Sequence, residues 1–167
     1  HQDLLARPSL STSQSIQVQL ELAKDYVCAG LFDRAEAILV DLVRRNHEFR
    51  DEALHQLLKI YEQEKEWLKA IDVAENLRKN KEMSYYKTLA LYYCEQAEKY
   101  LNSNNRVSAH RYTKNALLRD KDCVRASLLM ARMEYEEGRY REAVKVLERI
   151  EKQDMQYIPL SIPLLER

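Results

Sequence analysis

Glycine and proline are scarce, with two and three copies respectively in 167 residues. That scarcity excludes a turn-rich chain and leaves no glycine loop to cradle a phosphate, and it favours long helices joined by brief connections. Net charge is also missing, since 27 basic residues balance 27 acidic ones. Capture of nucleic acid driven by overall charge is therefore not expected. No apolar run approaches the ~18–20 residues of a spanning helix, and no signal peptide opens the chain. These absences predict a soluble cytoplasmic piece with no direct membrane insertion. Cys28, Cys94 and Cys123 are odd in number, widely spaced and lack a C-x-x-C pair. They read as small buried residues in a reducing compartment, not as a disulfide frame or a metal site. The four histidines, His1, His47, His55 and His110, show no triad or metal spacing, and His55 and His110 read as surface or groove positions. No cofactor, metal or catalytic residue is expected, and the chain does not read as an enzyme.

What the chain does have is a repeated phrase. "AGLFDRAEAIL" (29–39), "EKEWLKAIDVA" (64–74) and "EGRYREAVKVL" (137–147) superpose Ala35, Ala70 and Ala143, and a weaker copy, "SNNRVSAHRYT" (103–113), adds Ala109. The intervals are 35, 39 and 34 residues. Upstream of each lies a second shared position, Tyr26, Tyr61 and Tyr100, with Glu134 in the fourth copy. A period of about 34 with this aromatic and small-residue pattern is that of the tetratricopeptide repeat, a pair of antiparallel helices. The fold predicted is all-α, a right-handed α-solenoid of antiparallel helix pairs.

The pattern has a packing logic. Ala23, Ala97 and Ala131 in first helices, and the four aligned alanines in second helices, let backbones approach closely. Tyr26, Phe32, Tyr61 and Trp67 then fill the joints between repeats that have no core of their own. Periodicity and breakers place first helices near 15–29, 51–63, 84–102 and 123–137, and second helices near 32–46, 67–79, 106–118 and 140–153. Asp33 and Asn105 fall at helix starts, and Gly30 and Gly138 supply tight turns. The long interval arises around "RKNKEMSYY" (78–86), through a longer connection or a longer third first helix.

The repeat boundaries expected are 15–50, 51–83, 84–122 and 123–157. Residues 1–14 read as the tail of a preceding repeat and 158–167 as the start of a further one. Arrays normally finish in polar capping repeats, so the chain reads as part of a longer array.

Four phrases, "DYVCAGLFDRAE" (25–36), "EWLKAIDVAENL" (66–77), "LYYCEQA" (91–97) and "VRASLLMAR" (124–132), together resemble the lipopolysaccharide assembly protein B family of Gram-negative bacteria. The resemblance covers nearly the whole chain. It implies an inner-membrane anchor before the array and a rubredoxin-like domain with four metal-binding cysteines after it, neither of which this chain contains. It further implies an adaptor on the cytoplasmic face of the inner membrane. Such an adaptor restrains lipopolysaccharide synthesis by promoting degradation, by a membrane AAA+ protease, of the deacetylase committed to lipid A.

In such an array the first helices line a groove. The projected face is Gln17, Leu20, Lys24 and Val27, then Glu52, His55, Lys59 and Glu62, then Leu91, Cys94, Glu98 and Leu101, then Arg125, Leu128, Arg132 and Tyr135. The protein-binding residues expected from it are Lys24, His55, Lys59, Arg125, Arg132 and Tyr135, whose cations suit the acidic side chains or carboxyl terminus of a partner segment. The bland alternative is an ordinary solvated helix face with locally paired charges. Leu20 and Lys24 do not fit a chaperone-type carboxylate clamp. Two further readings remain open: the substrate-selecting arm of an N-acetylglucosaminyl transferase, and a generic oligomerisation scaffold that forms a homodimer through Ile158, Leu160, Ile162 and Leu164.

Overall fold

A computed structural model of the chain describes residues 12–45, 48–77 and 83–153. Among them are eight α-helices and no strand: α1 (Thr12–Cys28), α2 (Phe32–Arg45), α3 (Arg50–Glu64), α4 (Trp67–Leu77), α5 (Met83–Asn102), α6 (Arg106–Arg119), α7 (Val124–Glu136) and α8 (Tyr140–Gln153). These fall within a few residues of the ranges read from periodicity. Of the proposed end segments 1–14 and 158–167, residues 1–11 and 158–167, with the apolar Ile158, Leu160, Ile162 and Leu164, lie outside the described residues, as do His1 and His47, while Thr12–Gln14 belong to α1.

Two compact units divide between Leu77 and Arg78. In the N-terminal unit α1 packs on α2, α2 on α3 and α3 on α4, while α1 also lies beside α3. The C-terminal unit repeats this scheme with α5 to α8, α5 lying beside α7. At 20 residues α5 is the longest described helix, so a longer third first helix contributes to the 39-residue interval.

One turn is built four times. After each first helix the chain passes through a left-handed residue: Gly30 (φ 75°), Lys65 (φ 56°), Asn104 (φ 59°) and Gly138 (φ 80°). The next amide then bonds back across the turn: Leu31 to the Tyr26 carbonyl (2.8 Å), Glu66 to Tyr61 (2.9 Å), Asn105 to Tyr100 (2.8 Å) and Arg139 to Glu134 (2.8 Å). This closes the helix end in a Schellman turn, which satisfies carbonyls that would otherwise be orphaned. The same four residues accept the first bond of the second helix, from Ala35, Ala70, Ala109 and Ala143. At Asn105 the side chain also caps the helix, accepting from the Ser108 amide at 3.2 Å.

Each second helix buries positions spaced i, i+4, i+7, the stripe of an amphipathic helix. These are Ala35, Leu39 and Leu42; Ala70, Ala74 and Leu77; Ala109, Thr113 and Ala116; and Ala143, Leu147 and Ile150. The third set is the smallest in volume, and in that α5–α6 pair three tyrosine rings gather instead. Tyr112 lies 5.7 Å from Tyr93 and 5.1 Å from Tyr100, between centroids. Tyr93 and its neighbour Tyr92 are both buried, so the pair serves packing. In the last pair Ala131, Leu147 and Ile150 form a cluster against which Val124, Leu128 and Val146 rest.

Several sequence expectations change here. Leu20 (1% exposed) and Cys94 (0%) were projected into the groove but are core residues. Each sits on a first helix that has another first helix packed beside it, so its register points into that contact. Leu128 likewise rests against the α7–α8 core. Cys28 was expected to be buried and is exposed. Cys94 and Cys123 are far apart in sequence only: their sulfurs stand 4.0 Å apart.

Candidate functional site

On the first-helix face of the N-terminal unit, Lys24 is the centre of a charge triad. Its Nζ donates to Glu21 Oε1 one turn earlier at 3.0 Å and to Glu52 on α3. Glu52, and after it Glu21, raise the Lys24 pKa above its usual 10.5. One turn beyond Glu52, exposed His55 holds its Nδ1 2.6 Å from the Asp51 carbonyl, which fixes the ring against its own helix. One further turn on, Lys59 is exposed and makes no ion pair among the described residues.

The C-terminal unit carries the same device with its charges rearranged. Arg125 on α7 reaches Glu95 (2.7 Å) and Glu98 (2.9 Å) on α5. Half-burial works to lower the Arg125 pKa, yet the two carboxylates hold it above the ordinary arginine value. Glu95, Glu98 and Arg125 occupy the repeat positions of Glu21, Lys24 and Glu52. Farther along α7, Arg132 bonds to Glu136 at 3.0 Å, and Glu136 also takes Arg106 from α6 at 2.8 Å. Tyr135 meets the ring of Tyr140 edge-on at 5.2 Å.

Of the six residues singled out from sequence, Lys24, Arg125 and Arg132 thus have carboxylate partners and Tyr135 has an aromatic one. Lys24, His55 and Lys59 are grouped in one unit, and Arg125, Arg132 and Tyr135 in the other. The helical projection does not single out Glu21 or Glu95. The Glu21–Lys24 pair was legible as an i,i+3 contact; the reach of Arg125 across helices was not.

The N-terminal unit also holds a largely apolar cavity of about 430 Å³ between α2, α3 and α4, lined in part by Val40, Val43, Leu54, Leu57, Leu68 and Val73. On its rim Lys69 sits 3.5 Å from Glu36, whose carboxylate also accepts from the Tyr61 hydroxyl at 2.9 Å. In the C-terminal unit Arg106, His110 and Arg139 surround Glu134 and Glu137, with His110 Nε2 3.1 Å from Glu137. Arg139 binds both carboxylates and, as the largest influence, draws the Glu134 pKa below 4.5. Among the described residues no cluster of three or more His, Cys, Asp or Glu is arranged to hold a metal ion. No described helix is long and apolar enough to cross a membrane.

A model of the tetratricopeptide repeat matches residues 94–158. Lipopolysaccharide assembly protein B of Haemophilus influenzae is 39% identical over 157 residues, which cover 94% of this chain and 39% of that protein. Its namesake in Escherichia coli K12 is 36% identical over 166 residues, 99% of this chain and 42% of the relative. The chain therefore spans about two fifths of the curated relatives it matches. Two MamA crystal structures share the fold alone. One is 19% identical with a TM-score of 0.50, covering 89% of this chain and 83% of that one. The other is 17% identical with a TM-score of 0.51, covering 90% and 79%. Along nearly its whole length, this all-α tetratricopeptide chain is thus 36–39% identical to curated proteins named lipopolysaccharide assembly protein B.

Proposed function

We propose that the chain is the partner-binding module of a non-enzymatic adaptor that regulates lipopolysaccharide synthesis. The partners proposed are a membrane AAA+ protease and the deacetylase that commits precursors to lipid A. The adaptor acts by bringing the second to the first, on the cytoplasmic face of the inner membrane where its parent is anchored. The observation that carries this reading is similarity to lipopolysaccharide assembly protein B along nearly the whole chain. The tetratricopeptide architecture supports it, because stacked helix pairs present first-helix faces to extended or helical partner segments.

Within those faces the free charge matters most. Lys24, Arg125 and Arg132 already satisfy carboxylates of their own chain, whereas Lys59, exposed on α3 beside His55, retains its charge for a partner. A partner acid at Lys59 replaces only water, while one at Arg125 must compete with Glu95 and Glu98. The test is affinity capture from bacterial membranes by the full-length protein, with Lys59→Glu and Arg132→Glu variants alongside. The wild type recovers the protease or the deacetylase, and Lys59→Glu weakens recovery most while helical content stays unchanged. Absence of both partners from the wild-type capture overturns the adaptor reading; equal capture by the variants overturns the assignment to this face.

A further inference from the structure

We propose that Cys94 and Cys123 form a reversible dithiol–disulfide site that locks α5 to α7 on oxidation. Cys94 lies in the interior of α5 and is fully buried, whereas Cys123 is the residue immediately before α7 and keeps 7% of its surface. Their sulfurs stand 4.0 Å apart across 29 residues of sequence. Closure to a disulfide requires an approach of about 2 Å. The helices that carry them already pack side by side.

The two thiols are not equivalent. Cys123 sits at the N-terminal end of a 13-residue helix, with the Cys94 sulfur against it and the backbone amides of Arg125 and Ala126 close enough to favour its thiolate. The bond from Cys94, reinforced by those amides, lowers the Cys123 pKa to about 7 against the opposing effects of burial and Asp120. The hydrogen bond to Cys123, burial and Glu98 push Cys94 the other way, with Arg125 a partial offset. A thiolate at a helix N-terminus beside a buried thiol is the arrangement of an attacked sulfur and its resolving partner.

Hydrogen peroxide is the oxidant. The Cys123 thiolate attacks one peroxide oxygen and the O–O bond breaks; the departing hydroxide takes a proton and leaves as water, and Cys123 becomes a sulfenic acid. The Cys94 sulfur then attacks the Cys123 sulfur, its proton passing to the displaced hydroxide. The S–O bond breaks, the S–S bond forms and a second water leaves. Two thiols lose two electrons and the peroxide gains them; a small dithiol reverses the change. The bond lies next to the triad, since Glu95 follows Cys94 directly and Arg125 is two residues beyond Cys123. Oxidation thus fixes the spacing of the two first helices whose faces the C-terminal unit presents.

Exposed Cys28 is the internal control. The full-length protein is treated with hydrogen peroxide under native conditions, then denatured, alkylated and mapped by peptide mass spectrometry. Cys94 and Cys123 are expected to leave the alkylated pool together and reappear as one linked peptide pair, lighter by two hydrogens and restored by dithiothreitol. In Cys94→Ala the Cys123 sulfenic acid accumulates and reacts with dimedone. The wild-type map stands by itself if that variant folds poorly. Cys94 and Cys123 both still alkylated once Cys28 has been oxidised, or Cys123 linked to any cysteine other than Cys94, overturns the proposal.

Discussion

Arg125 lies 2.9 Å from Glu98, and these residues occupy the repeat positions that Glu52 and Lys24 fill with the charges exchanged. The sign of each charge differs between the units, but both join neighbouring first helices. Replacing Glu98 by Lys and Arg125 by Glu together therefore writes the N-terminal triad into the C-terminal unit. Arg125→Glu alone leaves three carboxylates facing one another and destabilises. The double exchange recovers most of the loss, with a coupling of about 0.5 kcal/mol because the pair is more than a third exposed. Urea denaturation in low salt measures the cycle, and the coupling shrinks in 1 M salt, where the screening length is roughly 3 Å.

The four left-handed turn residues give a second expectation. Lys65 holds a φ of 56° where two of its counterparts are glycine. Lys65→Gly should stabilise the N-terminal unit by up to about 1 kcal/mol, since the steric cost of the left-handed form exceeds glycine's entropic one. Gly30→Ala, with open space around the new methyl but φ at 75°, should destabilise by about 1 kcal/mol. Thermal melts of the two variants must move in opposite directions.

Acid should act on the C-terminal unit through Glu134. Its folded pKa lies below the usual 4.5, chiefly because Arg139 bonds to it. A depressed carboxylate contributes stability that is present above its unfolded pKa and lost as pH falls through the folded value. Stability should therefore decline from about pH 4.5 downward, and less steeply in Glu134→Gln, as hydrogen exchange of α7 and α8 amides against pH reports.

Ser127 is fully buried, and its Oγ has no hydrogen-bond partner among the described residues. Removing a buried, unsatisfied hydroxyl relieves a desolvation cost of roughly 1–3 kcal/mol, offset by a small loss of packing. Ser127→Ala should therefore hold or raise the denaturation midpoint; a fall of more than 1 kcal/mol indicates a bond that the hydroxyl makes.

Much of this architecture was legible because repetition multiplies a weak signal. One buried alanine says little, but Ala35, Ala70, Ala109 and Ala143 at equivalent places specify four helix pairs, and all four are buried. Gly30 and Gly138 announced their turns, whereas Lys65 and Asn104 hid theirs because neither residue type demands a positive φ. The face residues were harder. A helical projection locates a side chain around one axis, but whether Leu20 or Cys94 meets solvent depends on the helix packed alongside. The Cys94–Cys123 contact joins residues on two helices and had no local signature at all.

The adaptor reading is tested most directly by the lifetime of the lipid A deacetylase in cells. The full-length protein is supplied as wild type or as the Lys59→Glu, Arg132→Glu double variant, at equal abundance and equal helical content. Reversing the two cations should lengthen the deacetylase half-life several-fold and raise its steady-state level. A half-life identical to wild type would contradict recognition through these first-helix faces.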